Sequence, residues 1–371
     1  MANIEEKKLA VGTFPCTDCG ADLKYKPGTE HLNCEYCGAN NDIPQIEGDI
    51  EELDYYEFLA KKSESEETFV ESFVKCGNCG ASSTLEPNVT SSHCPYCSTP
   101  LVLEQAHDEK MIQPKSILPF KLDKNAAKDE LEKWIKDLWF APNDLKKASL
   151  NFDFFKGIYI PYWTYDTETD TNYIGQRGEY YYVTETYTET VDGKSVTKTR
   201  QVRKTRWHPA AGNVQKFFDD LLIVATKSIP EKYAFNLEPW DLENLVPFNK
   251  NYLSGFVTEK YQIELDEGFQ MAKEVADPEI RRLIERHIGG DEQRIISMNV
   301  NYTDITFKHL LLPVFVSSYK FKDKLYKFLV NGRTGEVQGE RPYSTIKIAL
   351  AVIAGLIIIG LAIYIYQITK D

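Results

Sequence analysis

The eight cysteines of this chain form two sets of four, and both sets have the spacing of a metal site. Each set reads C-x2-C, fourteen residues, then C-x2-C, and the second set repeats the first sixty residues later. Two C-x2-C knuckles that face each other supply four thiolates, the ligand set of tetrahedral zinc. The predicted ligands are Cys16, Cys19, Cys34 and Cys37 in the first set, and Cys76, Cys79, Cys94 and Cys97 in the second.

Two other arrangements of these cysteines were open. Disulfides are disfavoured because the first ten residues lack the apolar stretch of a secretory signal. Ligands could cross between the two sets, as in interleaved two-zinc modules, but the clean duplication favours two sequential zinc ribbons. Glycine after the second cysteine of three knuckles (Gly20, Gly38 and Gly80) suits a turn with positive φ, and Ser98 departs from that pattern.

All four positions in each set are cysteines, which leaves no open coordination position for water or substrate. Because catalytic zinc needs an open position, we predict two structural zinc ions as cofactors. A ribbon of about 30 residues buries too little apolar surface to fold alone. Metal binding, worth about 10–16 kcal/mol, would therefore be its folding energy.

The whole-chain composition indicates a soluble, multi-unit protein. With 371 residues the chain exceeds the usual single-domain range, and 42% hydrophobic with 27% charged residues is ordinary for a globular protein. The formal net charge of −13 disfavours nucleic acid as a partner, because that affinity comes from Lys and Arg displacing counterions along phosphates. We predict ribbon 1 at residues 12–46, an acidic spacer at 47–72, ribbon 2 at 73–104 and a main body at 115–342.

The C-terminal segment has the composition of a membrane span. Residues 348–366 carry no charge and are mostly Ile, Leu, Val and Ala. At about 1.5 Å per residue they extend for about 29 Å, close to the hydrocarbon thickness of a bilayer. We predict a single transmembrane helix at 346–367. Arg333, Arg341 and Lys347 precede it and only Lys370 follows, so the positive-inside rule predicts a cytoplasmic N-terminal bulk on a tail anchor in the cell membrane.

The body is predicted to be α+β with mainly antiparallel sheet. Apolar residues at helical spacing predict a helix from Asp123 to about Phe140, with Trp139 on its apolar face. A second helix is predicted from about Asn213 to Val224, and a third from about Phe269 to His287. Strands are predicted around residues 157–165, 310–321 and 324–332, with a turn at residues 322–323.

A predicted β-hairpin contains the single basic run of the protein. Asp192-Gly193 is a strong two-residue turn signal, and it pairs positions whose numbers sum to 385. Arg200 then lies opposite Glu185, and Arg206 lies opposite Glu179. Such cross-strand pairs leave little free positive potential for phosphate, so this run does not predict a nucleic-acid surface.

No catalytic motif is found. Residues 193–195 read Gly-Lys-Ser but sit in a hairpin turn, and Thr188 occupies the position of the first P-loop glycine. Ser254 lacks the first glycine of a nucleophile elbow. The histidines form no H-E-x-x-H motif, and we interpret three of them as surface or core residues without a catalytic role: His208, His287 and His309. We therefore predict a protein that is not an enzyme.

The order of these motifs resembles a bacterial family of zinc-ribbon membrane anchors. The resemblance covers nearly the whole chain: paired ribbons, I-Y-I-P-Y-W-T-Y-D, F-F-D-D-L-L-I-V-A-T-K-S-I-P, L-E-P-W-D-L-E-N-L-V-P-F, V-N-G-R-T-G-E-V-Q-G-E-R-P and a final apolar segment. Members are labelled transcription-factor-IIB-type zinc ribbon proteins or primosomal replication-restart helicases. The helicase label does not fit, because the chain has no Walker A motif.

The resemblance implies a function as a membrane adaptor. It implies that an SPFH (flotillin-like) protein and a phage-shock protein A homologue are the partners, recruited to the membrane under envelope stress. It implies no catalytic residues. The alternative is a zinc-ribbon nucleic-acid-binding or transcription factor held at the membrane.

Overall fold

A large mixed sheet organises the chain, and three very long adjacent strands form most of it. The computed structural model describes residues 14–46, 48, 50–61, 68–84, 91–102, 106–147, 155–191, 194–321 and 324–369. The N-terminal part contains β1 (Lys24–Tyr25), β2 (His31–Asn33), β3 (Asn40–Asp42), β4 (Leu53–Asp54), α1 (Tyr55–Lys61), β5 (Thr68–Lys75), β6 (Ser82–Ser83), β7 (Ser91–His93), β8 (Pro100–Val102) and β9 (Ala106–Ile112). The remainder contains β10 (Ser116–Ile117), α2 (Lys124–Asp137), α3 (Asn143–Lys147), β11 (Lys156–Val191), β12 (Lys194–Val224), α4 (Glu231–Asn236), β13 (Val246–Pro247), β14 (Val257–Thr258), α5 (Leu265–Ile288), β15 (Glu292–Phe321), β16 (Lys324–Asn331), β17 (Val337–Gly339) and α6 (Thr345–Ile368).

The central sheet has the order β12-β11-β15-β10-β13, with β14, β16, β17 and β4 attached to its sides. The long strands pair antiparallel, whereas β10 runs parallel to β15 and β14 runs parallel to β11. The α+β class with predominantly antiparallel sheet is therefore confirmed. The predicted register of the hairpin is also confirmed, with Glu185 paired to Arg200 and Glu179 to Arg206. The turn residues 192–193 and 322–323 lie outside the described residues.

The predicted helix from Asn213 to Val224 is wrong, because this segment belongs to β12. Phe218 is buried and its neighbour Phe217 is 52% exposed, which is the two-residue alternation of a strand. A β-bulge at Asp220, with φ of 50°, inserts one extra residue opposite β11. Phe218 and Leu221 consequently share a face although they are three residues apart, which produced the helix-like spacing in the sequence.

Parts of the acidic segment that is predicted as a spacer pack against the body. Tyr55 and Phe58 on α1 are buried in the same apolar cluster as Trp163 and Phe307. Strand β4 pairs with β15, and β5 pairs with β9 on either side of the second ribbon. The described acidic residues Glu51, Glu52, Asp54 and Glu57 are exposed, so their charge is compatible with this packing.

The first and third predicted helices are confirmed with changed ends. Helix α2 begins after Asp123, whose side chain accepts hydrogen bonds from the N–H groups of Asn125 and Ala126. It ends at Asp137, because Leu138 adopts an extended conformation with ψ of 90°. Trp139 therefore points to solvent and is 76% exposed, contrary to the prediction that it lies on the apolar face.

Helix α5 lies close to the long strands at a glycine. A Cβ atom on Gly268 would lie 2.5 Å from the Tyr165 hydroxyl oxygen and 2.9 Å from Cδ1 of Trp163. The Tyr165 hydroxyl donates to the carbonyl oxygen of Leu265 at 2.7 Å, and Trp163 Nε1 donates to that of Ile263. The glycine therefore permits two buried aromatic side chains to anchor the beginning of α5.

Substituting alanine for Gly268 is expected to destabilise the protein, because overpacking a core usually costs about 1–3 kcal/mol. The gain in helix propensity of about 1 kcal/mol offsets part of this cost, so the net loss should be up to about 2 kcal/mol. Thermal unfolding of the full chain in detergent measures the change. The control Val275→Ala, at an exposed position of the same helix, should change stability by less than about 0.5 kcal/mol. An equally stable Gly268→Ala protein would contradict this close packing.

Candidate metal centres

The eight cysteines form two separate clusters, each with the geometry of a four-thiolate site. Within each set the sulfur atoms all lie within 4.8 Å of one another. Cys16 and Cys37 sulfurs are 3.6 Å apart, and those of Cys76 and Cys97 are 3.5 Å apart. These values are near the edge of about 3.8 Å that a tetrahedron with metal–sulfur bonds of about 2.3 Å would have. These sulfur–sulfur distances are much longer than a disulfide bond of about 2 Å. Each cluster contains the four cysteines of one sequence set, so the ligand sets are sequential, not interleaved.

The four knuckles share one backbone conformation. In each of them, the residue after the second cysteine donates its N–H to the carbonyl oxygen of the first cysteine at 2.9 Å. Gly20, Gly38 and Gly80 have φ of 75° to 77°, and Ser98 has φ of 59°. The serine therefore accepts the same left-handed turn that glycine favours at the other three positions.

Each cluster lowers the pKa of some of its thiols and raises that of others. Backbone N–H groups, first that of Cys37, lower the pKa of Cys34 to about 6. In the second cluster a hydrogen bond with Cys94 lowers the pKa of Cys79 to about 5, and the same bond, helped by burial, raises the pKa of Cys94. A divalent ion that binds all four thiolates would displace the protons that the thiols carry. The clusters are two metal-binding sites.

The first ribbon is joined to the body by backbone and ring contacts. The Tyr25 N–H donates to Ser254 O at 3.0 Å, and the Ser254 hydroxyl donates to Leu23 O at 2.5 Å. The Tyr25 ring packs edge-on against Tyr252 at 5.0 Å, and its hydroxyl donates to Phe120 O. Ser254, which was considered as a nucleophile in the sequence, therefore has a structural bond in this interface.

The second ribbon is joined to the body through a buried carboxylate. Tyr96, in the knuckle between Cys94 and Cys97, donates its hydroxyl to Glu259, and both side chains are fully buried. Thr226 and Ser228 donate to the other oxygen of Glu259. Burial raises the pKa of Glu259 to about 7, although these hydrogen bonds oppose the shift. No sequence motif marked this network, because Glu259 lies 163 residues from its tyrosine partner.

The two ribbons pack on opposite faces of the same sheet. The first shares its apolar cluster with Tyr159, Leu311 and Phe315, whereas the second shares its cluster with alternate residues of the same strands, including Ile158 and Val314. Successive side chains of a strand point to opposite faces. The two metal sites therefore lie on opposite faces of the sheet, at the end of the long strands that contains Ile158 and Val314.

Carboxylates and aromatic rings contact several cations of the basic strand of the hairpin. Glu185 is within 3.4 Å of Arg200 and 3.1 Å of Lys204, and Lys198 is 2.6 Å from Glu189. Arg203 lies over the Tyr180 ring at 4.1 Å. Beyond Gly178, where pairing with β15 ends, these two strands continue as an arm (residues 179–191 and 194–206). None of the arm residues whose burial is described is buried.

A cluster of ionisable side chains that the sequence did not mark lies near the β12 bulge. Lys308 Nζ is 2.9 Å from carboxylate oxygens of both Glu52 and Asp220, and the Asp220 N–H donates to Asp166 at 2.7 Å. Burial raises the pKa of Asp166 to about 7. These groups satisfy one another and connect the acidic N-terminal segment to the bulged strands.

His208, His287 and His309 have different partners. His287 Nδ1 is 3.0 Å from the Tyr173 hydroxyl, and His208 Nε2 is 3.8 Å from Glu179. His309 is buried against the Trp163 ring, with Nδ1 2.9 Å from Ile112 O. Burial lowers the pKa of His309 to about 4.

This buried histidine predicts an acid-dependent loss of stability. Between pH 6.5 and about 4 the unfolded chain binds a proton at His309 and the folded chain does not, so stability falls as pH falls. The full shift corresponds to about 3 kcal/mol. The His309→Gln variant should lack this pH-dependent part of the free energy of unfolding. The measurement is the difference in unfolding free energy between wild type and variant, in detergent, at several pH values from about 4 to 7. Metal release cancels in that difference, because both proteins keep all cysteines. Parallel pH curves would contradict the assignment.

The apolar helix α6 makes almost no contact with the rest of the described chain. Its mean hydropathy is 2.9 over an 18-residue window, and none of that window is buried. Only its beginning is held: Ser344 N–H donates to Phe140 O at 2.7 Å, and Lys347 Nζ donates to Ala141 O at 2.8 Å. This helix is long and apolar enough to span a membrane.

Comparisons with known proteins add a relative but no activity. The chain is similar to an uncharacterized protein of Bacillus subtilis (strain 168), YdjG, with 26% identity over 342 residues, which cover 91% of this chain and 92% of that protein. No protein-family model matches the chain. No solved structure matches it. The similarity therefore extends over nearly the full length of both chains.

Proposed function

We propose that this protein is a membrane-anchored adaptor without enzymatic activity, which binds cytoplasmic proteins and holds them at the bilayer. The observation that carries the proposal is α6, an apolar helix whose hydrophobic window is entirely unburied. An unburied apolar helix of this length is stable when lipid surrounds it. The basic residues Arg341 and Lys347 before the helix favour an N-terminal bulk in the cytoplasm.

The metal in both clusters is proposed to be zinc in a structural role. Four thiolates at tetrahedral spacing suit zinc and leave no position for substrate. Each ribbon shares an apolar cluster with the sheet. The ions would therefore stabilise the end of the long sheet that is opposite to the arm.

The arm is the surface that we propose for partner binding. Thirteen residues of β11 (179–191) extend beyond Gly178, a length of about 40 Å. An isolated two-stranded hairpin is marginally stable in water, and its outer edges can pair with another chain. Tyr182, 65% exposed, is a residue type that is enriched in protein interfaces. By the resemblance noted above, the partners are an SPFH protein and a phage-shock protein A homologue, and the setting is envelope stress.

Shortening the arm tests this function. Val183 and Val202 are paired, so residues 184–201 can be replaced by Asp-Gly without changing the register of the remaining strands. The tagged full chain, extracted from native membranes, is expected to capture the SPFH protein or the phage-shock protein A homologue. The shortened chain should lose that capture while keeping its membrane association and metal content.

Two results would contradict the proposal. Equal capture by the shortened and the full chain would exclude the arm as the docking surface, and capture of neither partner by the full chain would exclude these partners. Submicromolar DNA binding that weakens steeply with salt would favour the alternative, a nucleic-acid-binding protein held at the membrane.

A further inference from the structure

The turn after α2 presents an exposed aromatic pair beside the beginning of α6. In the loop Leu138–Ala141, here called the Trp139 loop, Trp139 is 76% and Phe140 is 39% exposed. Leu138 and Ala141 are buried, so they hold the loop in the body while its two aromatic rings face outward. Exposed aromatic side chains that adjoin each other form an apolar patch, which is typical of a surface that contacts a membrane or another protein.

Hydrogen bonds attach this loop to the first turn of α6. The Ser344 N–H donates to Phe140 O at 2.7 Å, and Lys347 Nζ donates to Trp139 O at 3.3 Å and to Ala141 O at 2.8 Å. The uncharged stretch begins at Ile348, one residue after this lysine. At about 1.5 Å per residue, the attachment points lie within about 6 Å of the start of the span along the helix axis.

We propose that the Trp139 loop is a second membrane contact. It lies in the headgroup region and holds the body at the bilayer surface. If α6 spans, its first turn is at the boundary between water and lipid, and the loop attached to that turn is at the same depth. Tryptophan and tyrosine are enriched at this depth because one end of the ring is apolar and the other is polar. Tyr343, just before α6, and Ile346, in its first turn, are also exposed.

This inference rests on the proposed anchoring by α6, and it adds an orientation. A helix held only by a flexible junction would leave the body free to swing above the membrane. A loop hydrogen-bonded to the helix and in contact with lipid restricts that motion. The arm would then be presented at a defined angle to the membrane surface.

Tryptophan fluorescence of the full chain tests the contact. The chain has five tryptophans, and none of them lies in α6. The protein is reconstituted into phosphatidylcholine vesicles whose acyl chains carry bromine either near the glycerol backbone or near the bilayer centre. We expect quenching by the shallow bromines to exceed quenching by the deep ones. Most of the shallow quenching should disappear in Trp139→Phe.

The control is Trp207→Phe, at a position on β12 where Trp207 stacks with Arg294, and it should keep the quenching. Metal content shows that each variant is folded. Quenching that is unchanged in Trp139→Phe, or absent in wild type while the protein resists carbonate extraction, would overturn the proposed contact and leave the anchor intact. Release of wild-type protein by carbonate would instead contradict the anchor itself.

Discussion

Replacing Cys76 by serine is expected to remove one metal ion and unfold the second ribbon, with a loss of up to about 10–16 kcal/mol of metal-linked folding energy. The four sulfurs of this cluster belong to residues 76–97 alone, so the first cluster should retain its ion. Elemental analysis of the purified chain should give two zinc ions in wild type and one in the variant. Hydrogen exchange should show lost protection in residues 76–102.

The effect should spread into the body because the second ribbon covers one face of the sheet. When the ribbon unfolds, Glu259 loses the Tyr96 hydroxyl, and the buried carboxylate then lacks one of its donors. The reciprocal variant Cys16→Ser should spare this region. Asn78→Ala, an exposed change inside the same knuckle that removes no ligand, is the matched control and should retain both ions. Loss of both ions from Cys76→Ser would contradict two independent sites.

Deleting residues 345–371 is expected to move the protein from the membrane fraction to the soluble fraction. Eleven Ile, Leu and Val residues in the span, at about −0.3 to −0.6 kcal/mol each, favour insertion by several kcal/mol. Such a free energy changes the partition by about a hundredfold or more. The carbonate-resistant fraction in fractionated cells measures this change.

A single charge provides a graded version of the same test. Ile357→Arg places a charge near the middle of α6 at a cost of about 2.5–3.5 kcal/mol, so its carbonate-resistant fraction should lie between those of wild type and the deletion. Ile357→Leu is the matched control and should resemble wild type. A deletion protein that still resists carbonate would show that another part of the chain anchors it. If adding Trp139→Ser and Phe140→Ser to the deletion then allowed carbonate to release the protein, the Trp139 loop would be that part.

Features encoded by neighbouring residues could be predicted from the sequence alone. The two metal clusters follow from C-x2-C spacing, because a knuckle is a local turn that places two sulfurs on one side. The register of the hairpin follows from Asp192-Gly193, since a two-residue turn determines which residues face each other. The apolar span follows from composition, because it depends on the absence of charge over a sufficient length.

Features that depend on contacts between distant segments were decided only by the tertiary structure. The bulge at Asp220 shifts the alternation of β12 by one residue, and this made a strand resemble a helix in the sequence. The apolar runs of β11 and β15 do not alternate, because ribbons on both sides bury both faces of the sheet. The Tyr96–Glu259 bond joins residues that are far apart in sequence, and Trp139 is exposed because α2 ends two residues before it. Local spacing records turns and ligands, but it does not record which distant surface covers a given face, and that covering determines burial.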